Sequence, residues 1–140
     1  MKDPQGRVLT AETELLLHQF AHGSYTHGKF AQSVRTFRLL TMFRASDFRY
    51  WYGLACSLMG SSQEHDAIQP FRIACVLAKE DPRPKLYLAE CLLLTGQIEE
   101  AAKVLCEAEV LDLRSNSTLH ENIQMLKERI IQRETSLCQA

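Results

Sequence analysis

Apolar residues recur along this chain at helical spacing, in blocks. Val34, Phe37, Leu40 and Phe43 lie three apart, and Ile68, Phe71, Ala74, Cys75 and Leu77 form a second such stripe. At 3.6 residues per turn each set falls on one face of a helix. Trp51, Leu54, Ala55 and Leu58 line a helix between them, and Leu88, Ala89 and Leu92 line one after them. Leu16, Leu17, Phe20 and Ala21 mark an earlier helix, less clearly bounded, ahead of a turn region from Gly23 to Gly28. A last amphipathic face is made by Leu119, Ile123, Leu126 and Ile130.

Start and stop signals divide these stripes. Asp47 and Asp81 precede apolar runs as N-caps, and Pro82 suits the first helical position, where a missing N–H costs little. Gly60 and Gly96 are expected to end the helices before them. Ser115 to Thr118 is a polar break, and Thr118 with Glu121 has the spacing of a capping box. Pro70 falls inside a predicted helix, where it removes a hydrogen bond and crowds the preceding turn at a cost of about 3 kcal/mol. A kink or a late helix start is expected there. The first ten residues and the tail from about Glu134 are expected to be loosely held.

Placed end to end, the stripes repeat every 34 residues. Ser33, Ala67 and Ala101 fall in register and are all small, while Phe37, Phe71 and Leu105 are all large and apolar. Leu40, Ala74 and Ala108 follow, then Phe43, Leu77 and Leu111. Four matched columns at one spacing predict an all-α protein of three helix-turn-helix repeats, about residues 14–46, 48–80 and 82–113. A helix over about 117–134 covers the last repeat, since terminal repeats need a cap. This pattern is similar to the tetratricopeptide repeat, with small side chains where helices cross. Trp51 stands at that pattern's early aromatic position, but its closing proline is replaced by Ala45, Lys79 and Leu113. One domain over 1–140 is expected.

Composition narrows the function. Hydrophobic residues make up 46% and charged residues 24% of 140, an ordinary globular balance. A net charge of -1 leaves no basic footprint for nucleic acid. No apolar run reaches the roughly 18 residues needed to cross a bilayer. The opening residues have no apolar stretch, so no secretory leader is expected. Cys56, Cys75, Cys91, Cys106 and Cys138 are scattered and odd in number, which reads as reduced thiols in a cytosolic protein. Cys75, Cys91 and Cys106 fall on apolar stripes and are expected to be core. No phosphate loop, nucleophile elbow or zinc-binding helix motif occurs, so catalysis is a weak reading, and no metal or cofactor is expected.

Two runs carry a closer resemblance, which covers about residues 14 to 113. Asp47-Phe48-Arg49-Tyr50-Trp51-Tyr52-Gly53-Leu54-Ala55-Cys56 and Asp81-Pro82-Arg83-Pro84-Lys85-Leu86-Tyr87-Leu88-Ala89-Glu90-Cys91-Leu92-Leu93 resemble signatures of the class II type III secretion chaperones, the SycD/LcrH type. The resemblance implies a small bacterial cytosolic protein. It would bind a hydrophobic translocator, or an effector, keep it soluble before export, and could pair with a second copy as a homodimer.

In stacked helix pairs the first helix of each repeat lines the concave face. Helical spacing then selects His18, His22 and Tyr25, next Arg49, Tyr52, Cys56 and Met59, and last Leu86, Glu90 and Leu93 as the cargo-binding groove. The resemblance implies aromatic pockets in the first repeat. Tyr25 keeps that character, while the two histidines depart from it and imply a more polar pocket. Plainer readings stand beside these. Tyr52 and Met59 suit packing between helices. Arg49 and Glu90 suit solvated surface charges, and His18 with His22 lacks a third metal ligand. A general tetratricopeptide scaffold with a partner unrelated to secretion would use the same face.

Overall fold

The computed structural model describes residues 2, 5–115 and 118–139. Among them are seven α-helices: α1 (Ala11–Thr26), α2 (Phe30–Phe43), α3 (Phe48–Gly60), α4 (Glu64–Leu77), α5 (Pro82–Leu94), α6 (Ile98–Ser115) and α7 (His120–Cys138). No strand occurs among the described residues, only an isolated bridge between Lys2 and Val8. The chain divides into two compact units, residues 1–77 and 78–140. In the first, α1 packs on α2, α2 on α3 and α3 on α4. In the second, α5 packs on α6, α6 on α7, and α7 also touches α5.

The repeat columns form the cores. Ser33, Ala67 and Ala101 are buried, as are Phe37, Phe71 and Leu105 and the column Leu40, Ala74 and Ala108. Burying a large apolar side chain of this kind contributes about 2–3 kcal/mol. The fourth column departs from this. Phe43 is buried, but Leu77 is 38% exposed at the end of α4.

The turns repeat as faithfully as the cores. The amides of Lys29, Gln63 and Gln97 each donate five residues back, to the carbonyls of Ser24, Leu58 and Leu92, at 2.8, 2.9 and 2.8 Å. This bond closes a helix through one left-handed residue. That residue is Gly28 (φ 74°), Ser62 (φ 60°) and Gly96 (φ 85°), again 34 apart. Gly60 was expected in this role, but it is the last residue of α3. Its lack of a side chain serves close approach instead, because a Cβ there would lie 2.6 Å from the ring of Phe30. A Cβ on Gly53 would likewise lie 2.5 Å from the ring of Phe37.

Both aspartate caps form. Asp47 accepts from the Arg49 amide at 3.0 Å and Asp81 from the Arg83 amide at 2.9 Å. The first helix is capped by Thr10, whose hydroxyl accepts from the Thr13 amide. The expected capping box is absent: α7 starts at His120, and its cap residue Leu119 offers no polar side chain. Pro70 does not delay α4, which runs from Glu64 straight through it. Leu9 is buried, so the chain is anchored just before α1, and α7 extends past Glu134 to Cys138.

Candidate protein-binding faces

In the first unit, α1 and α3 carry seven of the selected residues, and the structure sorts them. His18 packs edge-on against the rings of Tyr50 (5.4 Å) and Phe37 (6.4 Å). It therefore wedges α1 onto α2 and α3, and burial, reinforced by the charge of Arg49, pushes its pKa below the usual histidine value. Tyr52 is turned toward α4, stacked on Phe48 (5.2 Å) and edge-on to Phe71 (6.2 Å). Both are packing residues. His22 and Tyr25 are exposed, with Tyr25 resting on Phe30 at 5.7 Å. Cys56 and Met59 are half-buried on α3. Arg49 is engaged by its own helix cap, donating to both oxygens of Asp47 at 3.1 and 2.8 Å, and its guanidinium lies over Tyr50 at 5.2 Å. Arg83 holds Asp81 in the same fork 34 residues on, at 3.0 and 2.6 Å.

Behind this face lies a polar cluster that helical spacing had not singled out. The Tyr50 hydroxyl, on a ring 1% exposed, donates to Glu14 at 2.7 Å, and Arg44 donates to the other oxygen of Glu14 through Nε and Nη2 at 3.0 and 2.8 Å. The Tyr50 bond and the Arg44 charge hold the Glu14 carboxyl below the usual carboxylate range. Burial, then the Glu14 charge, pushes Tyr50 up to about 12. Nearby, the buried hydroxyls of Ser33 and Ser57 bond each other, and Ser57 also bonds the Gly53 carbonyl at 2.7 Å. Ser33 and Ser57, Arg44 and Glu14, and Tyr50 and Glu14 are 24 to 36 residues apart, so no local spacing announces them.

In the second unit, Leu86 and Leu93 prove to be core, 3% and 1% exposed. They offer a floor, not an exposed binding surface, because α7 closes over α5. Glu90 is accessible and pairs with Arg129 of α7 at 3.3 Å. A cleft of about 300 Å³ opens between the two helices, lined by Leu86, Tyr87, Glu90, Met125, Leu126 and Arg129 among others. A second, of about 320 Å³, adjoins Leu93, Arg129, Gln132, Arg133 and Ser136. The helix expected to be only a cap is therefore also a wall. Reading α7 for its polar face would have found Arg129 and Arg133.

Among the described residues no three histidine, cysteine or acidic side chains converge as a metal site. All five cysteines are thiols, but only Cys91 is fully buried. Cys106 sits on the solvent side of α6 and Cys75 is half-buried, against the expectation that both are core. No helix among the described residues is long and apolar enough to cross a membrane.

The fold defines the chain as a tetratricopeptide-like helical repeat protein. No family model matches it. It is 27% identical over 103 residues to the low calcium response locus protein H of Yersinia pestis, covering 74% of this chain. The match spans 61% of that relative's length. The Yersinia enterocolitica type III secretion translocator chaperone SycD, solved with a peptide of the translocator YopD, superposes with a TM-score of 0.82 at 25% identity. That match covers 91% of this chain and 99% of the other. SycD has also been solved as an alternative dimer. A chain of the CopN–Scc3 complex matches with a TM-score of 0.73 at 29% identity, over 89% of this chain and 70% of that one. In sequence and in fold, then, the chain is similar to the class II type III secretion chaperones.

Proposed function

We propose that this chain is a cytosolic bacterial chaperone that binds a type III secreted translocator, or an effector, and keeps it soluble until export. The observation that carries the reading is the correspondence over 91% of the chain with SycD, whose structure holds a translocator peptide. The reading is one of holding, not of catalysis, and the chain acts as a single cargo-holding module.

The accessible residues of the α1 and α3 face support it. His22, Tyr25, Cys56 and Met59 offer mixed aromatic, thioether and polar contacts to an extended segment. Methionine adapts to varied shapes at such surfaces. His18, Tyr52 and Arg49 stand behind them and hold the face in shape. In the second unit the half-buried Glu90, paired with Arg129, is the polar contact. A homodimer belongs to the same proposal. Leu15, Leu16 and Phe20 on α1 are each more than half exposed, an apolar strip suited to self-association.

Co-expression with the hydrophobic secreted proteins encoded beside its gene tests the proposal. One of them is expected to become soluble and to co-purify. If none does, the chaperone reading fails. His22→Ala with Tyr25→Ala is expected to release the cargo while circular dichroism stays helical. Retention by that variant would move the binding face elsewhere. Light scattering with and without cargo reads the dimer.

A further inference from the structure

The second unit carries a feature that its packing does not require. Arg129 and Arg133 stand one turn apart on α7, where like charges repel. Glu90 answers Arg129 across the cleft. No ion pair or hydrogen bond holds Arg133 among the described residues, and no acidic residue stands three or four positions from it on the helix. One turn before Arg129, Met125 is apolar yet 60% exposed at the mouth of the neighbouring cleft. An apolar cavity and a cationic one therefore lie end to end along α5 and α7.

We propose that this α5–α7 cleft is a second peptide-docking site, taking a short extended segment that carries one apolar side chain and one carboxylate. The apolar side chain enters the cavity over Leu86, Met125 and Leu126. The carboxylate meets Arg133, with Arg129 shared between it and Glu90. Charge complementarity selects the occupant, because a guanidinium binds a carboxylate through parallel, charge-assisted hydrogen bonds. The geometry also sets the spacing. The centres of the two cavities lie about seven residues apart on α7, roughly 10 Å at 1.5 Å per residue. An extended chain covers that in about three residues at roughly 3.3 Å each. Its side chains alternate in direction, so the two anchors stand two or four residues apart. The inference rests on the chaperone reading for the source of the segment, not for the recognition chemistry.

The test uses the full chain and end-blocked, fluorescein-labelled peptides of serine and alanine. Each carries a leucine and, two or four residues later, a glutamate, a glutamine or a lysine. Fluorescence anisotropy is expected to show the glutamate peptide of one spacing binding about tenfold more tightly than its glutamine twin, the scale of one charge-assisted contact. Arg133→Glu is expected to remove that preference and transfer it to the lysine peptide, a reversal that misfolding does not produce. Equal binding of the glutamate and glutamine peptides, binding of neither, or an Arg133→Glu protein with unchanged preference overturns the site. The co-purification experiment stands apart from this one. Cargo held by the unmodified chain, with equal binding of the glutamate and glutamine peptides, sinks the cleft and spares the chaperone, and a charge-dependent peptide without cargo does the reverse.

Discussion

The two compact units solve the same packing problem in different ways. The first stitches α1, α2 and α3 together with buried polar and aromatic contacts: Ser33 to Ser57, Tyr50 to Glu14, and His18 between Tyr50 and Phe37. The second relies on an aliphatic core of Leu86, Leu88, Leu92, Leu105, Ile123, Leu126 and Ile130. Its cross-helix ion pairs Lys85–Glu107 and Lys127–Glu109 lie near the surface, although α6 also buries the carboxyl group of Asp112. A leucine core tolerates repacking, and exposed pairs add little. A buried hydroxyl or carboxylate has one acceptable partner arrangement, and losing it costs the full desolvation of the group left behind. The first unit is therefore the more exactingly specified of the two. It is also the one that presents most of the selected binding residues.

Stability measurements on single substitutions break or sharpen that contrast. Leu92→Ala, at a fully buried position, is expected to cost about 2–5 kcal/mol by urea unfolding, with hydrogen-exchange protection lost across 78–140. A smaller loss would mean that the aliphatic core collapses around the gap. Tyr50→Phe keeps the ring and removes one hydroxyl, and is expected to cost about 1–3 kcal/mol.

Tyr50→Phe also carries a pH signature. Tyr50 titrates near 12 in the folded protein and near 10 in the unfolded one. The folded state thus holds its proton more tightly, and this stability is complete below pH 10 and disappears as pH rises toward about 12. The gap between wild type and Tyr50→Phe should close over that window. On the acid side, Glu14 lies below its ordinary value of 4.5 and His18 below its ordinary 6.5. In both cases the unfolded chain takes up protons first. Stability contributed by His18 is present above pH 6.5 and falls as pH drops below it, and that of Glu14 is lost below about 4.5. Urea midpoints between pH 7 and 4 in wild type and His18→Leu separate the two.

Ser62→Gly is expected to stabilise the protein by about 0.5–1 kcal/mol, visible as a raised Tm. Ser62 is the non-glycine member of the three left-handed turn residues, and a Cβ is unfavourable there. Gly28→Ala should move Tm the opposite way by a similar amount. The smallest effect is expected for Lys127→Ala, which removes the 2.5 Å pair with Glu109. Both side chains are partly exposed, so the change should stay within about 1 kcal/mol and shrink in salt. A larger loss would place that pair among the specifying contacts and erase the contrast between the units.

Much of this architecture was legible in the order of residues. The 34-residue period, the small-large columns and the caps at Asp47 and Asp81 depend on neighbours one turn away. Spacing and residue type report such contacts directly. The same logic reached Gly96 but mistook Gly60, because a glycine that admits a neighbouring ring looks, in sequence, like one that ends a helix. It also promised a capping box at Thr118, which α7 bypasses by starting two residues later. Cys106 lay on an apolar stripe yet faces solvent, since the stripe on α6 is wider than the surface its neighbours cover.

The groove was legible only in part. Helical spacing tells which side chains share a face, not what lies opposite that face. Tertiary packing turned Tyr52 toward Phe71, placed His18 against Tyr50, buried Leu86 and Leu93, and left His22, Tyr25 and Glu90 accessible. It alone joined Glu14 to Tyr50 and Ser33 to Ser57, and made α7 a cleft wall as well as a cap. The sequence by itself determined an all-α repeat protein and the register of its helices, because those follow from local periodicity and chain stiffness. Which polar groups meet, and which faces stay open to a partner, was decided by the approach of helices distant in sequence, where burial makes one pairing acceptable and the rest costly.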